Sequence, residues 1–152
     1  MSKIKNIMIV MLAMGAIHAA AELAQADIQF VQLSSNSTEN AAEKLLMKVY
    51  DIGDGKVTFE LFNNGISGPD DFSVTRIYFD DGAVLGDFVS FEENGTMTER
   101  GVSFSQWDSH PELPYANNAL PKFETSAGLC VTSDPSTYWN GIGPGESLSI
   151  TY

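Results

Sequence analysis

The sequence predicts an all-β fold, an antiparallel β-sandwich of jelly-roll-like or Ig-like type, and three features carry that prediction. Runs of β-formers alternate at period two, turn signals interrupt them roughly every 8 to 12 residues, and no amphipathic helix intervenes. The best-defined part is Lys56 to Phe104, centred on Ser73 to Gly82, S-V-T-R-I-Y-F-D-D-G. There a strand pattern stops at an acidic, glycine-containing turn, the chemistry that lets a chain leave a sheet into water.

Residues 1–26 read as a signal peptide. Lys3 and Lys5 form a positive start, Ile7 to Ile17 an apolar run of 11 residues, and Ala24-Gln25-Ala26 an A-x-A cleavage site. Ala19-Ala20-Ala21 is a second candidate, but Asp27 opens a strand-like run, which favours the later one. The apolar run is shorter than the roughly 20 residues that cross a bilayer, so the sequence predicts export without a membrane span in the mature chain. Residues 27–152 then form one β-sandwich domain.

Within that domain, Asp27 to Leu33 alternates as a first strand and Ser34 to Asn40 is a polar loop. Leu45 to Ile52 fits helix or strand by periodicity alone. The turn after it, Asp51-Ile52-Gly53-Asp54-Gly55, favours strand, because Asp-Gly suits a tight hairpin with both central residues at positive φ. Val57, Phe59 and Leu61 alternate until Asn63-Asn64-Gly65 breaks the run. Phe72 to Phe79 is a third strand, Val84-Leu85 and Phe88 to Phe91 are short apolar stretches, and Glu92-Glu93-Asn94-Gly95 reads as a turn before Gly101 to Phe104. From Ser105 to Gly145 five prolines punctuate an irregular stretch, with short strands expected around Leu129 and Val131. Leu148, Ile150 and Tyr152 finally alternate with Ser147, Ser149 and Thr151.

Removing residues 1–26 takes away Lys3, Lys5 and Glu22, leaving 6 basic against 19 acidic residues and a net charge of -13. Such a surface repels phosphate backbones and anionic lipids, so nucleic acid is excluded as a partner, and an extracellular polysaccharide or protein is expected instead. Cys130 is the one cysteine, so no intrachain disulfide forms. His110 is the one histidine left after His18 departs with the leader, which excludes metal sites needing two imidazoles.

F-N-N-G at Phe62 to Gly65, R-I-Y-F-D-D-G at Arg76 to Gly82, G-V-S-F at Gly101 to Phe104, Leu113-Pro114, and N-G-I-G-P-G-E-S-L-S-I at Asn140 to Ile150 occur in that order. This succession resembles a family of exported bacterial proteins of the PEP-CTERM type, which end in a C-terminal sorting segment. The resemblance implies a β-rich extracellular domain and supplies no catalytic residues. It also implies further strands after the N-G-x-x-P-G-E segment, so the chain is expected to be truncated, with an open edge and an uncovered apolar face. Gln106-Trp107 departs from the small residues expected after G-V-S-F.

Three constellations have a chemistry to test. Asp70, Asp71, Asp80 and Asp81 lie in loops flanking predicted strands and offer hard oxygen ligands for calcium, although no EF-hand spacing is present. Trp107, Asp108, Tyr138 and Trp139 combine rings with a carboxylate in the irregular half, a residue set suited to carbohydrate, and such rings also form small cores under long loops. Asp108-Ser109-His110 holds hydrolase residue types, but neighbours in extended chain point to alternate faces and cannot form a relay. Cys130 reads as a buried thiol. The expectation is therefore a non-enzymatic, exported structural or adhesion module. The alternatives are a carbohydrate- or calcium-binding module and a carboxylate-dependent hydrolase.

Overall fold

The computed structural model describes residues 6–7, 26–28, 40–68, 71–80, 84–95, 101–106, 123, 130–135 and 137–152. Its strands are β1 (Asn6–Ile7), β2 (Ala26–Ile28), β3 (Leu45–Gly53), β4 (Lys56–Asn63), β5 (Ser73–Val74), β6 (Arg76–Tyr78), β7 (Ser90–Asn94), β8 (Phe104–Gln106), β9 (Cys130–Ser133) and β10 (Ser147–Thr151). The only helical pieces among the described residues are 3-10 turns at Ala41–Lys44 and Tyr138–Asn140, and no helix there is long and apolar enough to cross a membrane. The fold is all-β.

The hairpin β3–β4 forms as its turn dictates. Gly53 pairs with Lys56, and the two residues between them, Asp54 and Gly55, both have positive φ, 55° and 73°. The Asp51 carboxylate accepts from the Gly53 N–H at 2.8 Å, closing the bend locally. Strand is therefore the correct reading of Leu45 to Ile52, and the four-residue 3-10 turn before it takes the helical part of the ambiguity. Asn40 caps that turn by accepting from the Ala42 N–H.

Two antiparallel sheets follow. One has the order β2-β3-β4-β10-β7, the other β6-β9-β8. A separate parallel pair joins β1 to β5, so Asn6 and Ile7, inside the expected leader, lie beside Ser73 and Val74. Alternation sends one side of each main sheet into a shared core. Met47, Val49, Phe59, Leu61, Leu148 and Ile150 meet Ile77, Phe104 and Val131 there. Each such side chain contributes ~1.5–3 kcal/mol on burial, so this layer is the main source of stability. One end is closed by aromatic edges, with Tyr152 against Phe59, Phe79 and Phe88 at 5.5 to 6.3 Å.

Several expectations need correction. The single strand expected over Phe72 to Phe79 is two, because the chain changes partner at Thr75. Val74 exchanges both backbone bonds with Ile142, while the Thr75 carbonyl accepts from Ser133 in the other sheet. The turn expected at Glu92-Glu93-Asn94 is strand, the end of β7, since these residues pair with Ser149, Leu148 and Ser147. The charges instead mark an edge strand, where unpaired backbone invites association and glutamates oppose it. β10 is interior, bonded to β4 on one side and β7 on the other, and β4 is paired along both edges. The apolar face of the Lys56 to Phe104 strands, expected to stand uncovered, is covered at its described residues, with Phe59, Leu61, Ile77, Phe79 and Phe104 in the shared core.

Candidate functional site

Of the four aspartates expected to bind calcium, Asp71 and Asp80 are described; Asp70 and Asp81 lie outside the described residues. Asp71 and Asp80 bracket the β5–β6 run, one before it and one after, and the Asp71 N–H donates to the Gly68 carbonyl at 3.2 Å. Among the described residues no group of three His, Cys, Asp or Glu could hold a metal ion. Trp107 and Asp108 also lie outside the described residues, as does His110. Tyr138 and Trp139 sit in the second 3-10 turn, where Trp139 is 49% exposed.

Cys130 is buried and faces Tyr78 across the β6–β9 ladder. Both are outside the shared core, so they occupy the opposite side of the three-stranded sheet from Ile77 and Val131, and that side too is covered. Burial pushes the thiol up from 9.0 to about 11, against the pull of the nearby Arg76 charge. Tyr78 is raised as well, first by burial. Near neutral pH the sulfur is a protonated, enclosed thiol, and its chemistry is that of a small apolar side chain.

The motif residues Asn63, Ile142, Gly145 and Glu146 come together, in a structural role. Asn63 has no exposed surface. Its amide nitrogen donates to the carbonyls of Phe72 and Ile142, both at 3.1 Å, and its amide oxygen accepts from the Gly65 N–H at 2.9 Å. Its backbone N–H donates to the Glu146 carbonyl and its carbonyl accepts from the Gly145 N–H. The Glu146 carboxylate in turn accepts from the Gly143 N–H at 2.8 Å, which folds the G-P-G-E turn back on itself. These contacts fix where β10 enters between its neighbours.

The surface that this clamp positions is the outer face of the five-stranded sheet. Because Leu148 and Ile150 point into the core, Ser147, Ser149 and Thr151 line the other side of β10. Register places them in rows: Leu46, Phe62, Ser147 and Asn94; Lys48, Glu60, Ser149 and Glu92; Tyr50, Thr58, Thr151 and Ser90. Contacts within and between rows confirm the shared face. Thr58 Oγ1 and Thr151 Oγ1 are 2.8 Å apart, Tyr50 Oη donates to Glu60 Oε2 at 2.9 Å, and Asn94 Nδ2 donates to Ser147 Oγ at 3.5 Å. Glu93, the neighbour of Glu92, turns the other way and accepts from the Phe104 N–H at 2.6 Å, tying β7 to the second sheet.

Short side chains in the middle strand and longer ones beside it make a trough. Ser147, Ser149 and Thr151 are 5 to 9% exposed, whereas Ser90, Glu92 and Asn94 are exposed and Thr58, Glu60 and Phe62 half-buried. The backbones of β4 and β7 stand ~10 Å apart, two interstrand spacings, and five residues of β10 give a floor ~14 Å long. Glu60 and Glu92 face each other across Ser149. The hydrogen bond to Glu60 holds the Tyr50 phenol above its ordinary 10.0, so the ring stays neutral and fixed on the carboxylate through physiological pH. The alternation in each strand was visible in the sequence. Which strands stand side by side was not, since Thr58 and Thr151 are 93 positions apart.

Compared with protein-family models, curated proteins and solved structures, the chain matches none.

Proposed function

We infer that the protein is an exported β-sandwich module, non-catalytic, which works at the cell surface or in the extracellular matrix by presenting one sheet face to an extracellular partner. The observation that carries this reading is the outer face of the five-stranded sheet. It is a set of cross-strand rows, polar except for Leu46 and Phe62, on a ladder hydrogen-bonded across β3, β4, β10 and β7. Groups held on paired strands lose little further freedom when they meet a ligand, which is what recognition by a preformed surface needs. The leader pattern of residues 1–26, the likeness of the motifs to PEP-CTERM-type proteins, and a net charge of -12 that disfavours anionic partners support the same reading.

The test is expression of the full chain in a bacterial host with a working secretion pathway. The reading requires the protein in the surface or medium fraction, with a new amino terminus at Asp27 by mass spectrometry. Accumulation inside the cell with residues 1–26 attached counts against it.

A further inference from the structure

We propose that Asn94 is a modification site, where the chain deamidates spontaneously at the end of its edge strand. The sequence holds three Asn-Gly pairs, Asn64-Gly65, Asn94-Gly95 and Asn140-Gly141. In such a pair the glycine backbone nitrogen attacks the carbonyl carbon of the asparagine side chain, since no Cβ on the glycine crowds the approach. That nitrogen gives up its proton, the new C–N bond closes a five-membered succinimide, and the side-chain amide leaves as ammonia. Water then opens the ring at one of its two carbonyls, giving aspartate or isoaspartate. Water is the one co-reactant, so the fold decides which pair reacts.

Two of the three pairs are held. The Gly65 N–H already donates to Asn63 Oδ1 at 2.9 Å, and the Asn63 amide is itself fixed on two buried carbonyls, so attack from Gly65 requires that bond to break first. At the last pair, Asn140 Nδ2 donates to the Asp134 carbonyl at 2.8 Å. The Asn140 backbone N–H donates to the Thr137 carbonyl and its own carbonyl accepts from Ser103. Gly141 is buried against Ser73 and Val74, so neither member of that pair can turn toward the other.

Asn94 differs on each count. It and Gly95 are both exposed, at the point where β7 ends. Its amide nitrogen reaches Ser147 Oγ at 3.5 Å, too long to restrain it firmly. Val57 and Tyr152 exchange both backbone bonds, so Ile150 and Leu148 also turn to β4, and Ser147 turns to Asn94 in β7. The next N–H along β7, that of Gly95, therefore points away from β10, and it donates to no other described residue. The crowding that Gly95 does meet is at its Cα, where a Cβ would stand 2.8 Å from the backbone of Gly101 and Val102, and the attacking nitrogen is clear of it. Fraying of a strand end costs little, so the Asn94 side chain can swing over that nitrogen without opening the core. The product adds a carboxylate beside Glu92 and Glu93 and takes the amide donor from Ser147, so the edge grows more repulsive to strand addition as the protein ages.

The experiment is peptide mapping by mass spectrometry on the purified full chain, held in mildly alkaline buffer over weeks, folded and in urea, with conversion read at each pair separately. In the folded chain Asn94 is expected to convert roughly tenfold faster than Asn64 and Asn140, about the factor that one retained hydrogen bond is worth. In urea those bonds are gone and the three rates should converge. Asn94→Gln keeps the amide but would have to close a larger ring, so the early acidic shift of the folded chain in isoelectric focusing should disappear; circular dichroism confirms that this variant is folded. Three outcomes overturn the proposal: Asn64 or Asn140 converting as fast as Asn94 in the folded chain, Asn94 staying intact in the folded chain while it converts in urea, or an acidic shift that survives Asn94→Gln.

Discussion

The side chain of Asn63 donates to the backbone carbonyl of Ile142 at 3.1 Å, spanning 79 positions of sequence at a point with no exposed surface. Asn63→Ala removes that bond, the one to Phe72 and the one from Gly65 together. Each buried group left unsatisfied costs about 1–3 kcal/mol, so a loss of about 3–5 kcal/mol is expected, a large share of a small domain's stability. Urea unfolding measures it. Asn63→Asp keeps only the acceptor and places a charge where none can be solvated, so it should be at least as damaging.

Gly141 predicts a second sensitive point. A Cβ there would meet the Ser73 hydroxyl, lie 2.5 Å from the Val74 carbonyl oxygen and 3.0 Å from Thr75 Cγ2. The backbone oxygen cannot rotate away, so Gly141→Ala should push apart the Val74 and Ile142 bridge and cost about 1–3 kcal/mol. Gly68→Ala, where nothing lies within 4 Å, should be neutral in the same melting experiment.

What the sequence discloses follows from range. The hairpin Leu45 to Asn63 is legible because Asp54-Gly55 and the flanking alternation are local, and the inward set Leu148, Ile150 and Tyr152 is legible for the same reason. The split at Thr75 is not, since it depends on Ile142 and Ser133 arriving from far along the chain. Glu92 and Glu93 look like a turn in isolation, and only pairing with β10 makes them a charged edge. The trough is illegible in the same way. Its serines and threonines are unremarkable until Glu60 and Glu92 are set on either side of them.

Cys130 predicts a pH dependence. The thiol is raised from 9.0 to about 11 in the folded protein, so the folded state holds this proton more tightly than the unfolded chain does. The associated stability is complete below pH 9 and declines between pH 9 and about 11, by roughly 2–3 kcal/mol at 1.36 kcal/mol per pH unit. Cys130→Ala should flatten that decline relative to the parent chain in chemical denaturation. In the native state at pH 8 a thiol reagent should label Cys130 slowly, and addition of 6 M urea should make labelling fast.

Tyr152 predicts the weight of the aromatic end. Its ring meets Phe59, Phe79 and Phe88, and its backbone exchanges two bonds with Val57. Tyr152→Ala keeps the backbone bonds and empties the ring's place, for an expected loss of about 3–5 kcal/mol by thermal or urea unfolding. Tyr152→Phe retains the edge contacts and should lose far less.

The interior position of β10 has a consequence for the order of events in time. The strand that lies between β4 and β7 in the larger sheet comes some 90 positions after β4, so β3 and β4 can pair early but cannot be enclosed until residues through Thr151 have been made. Contacts of such separation are slow to form, because the intervening chain must first be drawn together. A nascent chain of this design stays open and threadable at least until Thr151 has been made, because the larger sheet closes only when β10 takes its place between β4 and β7.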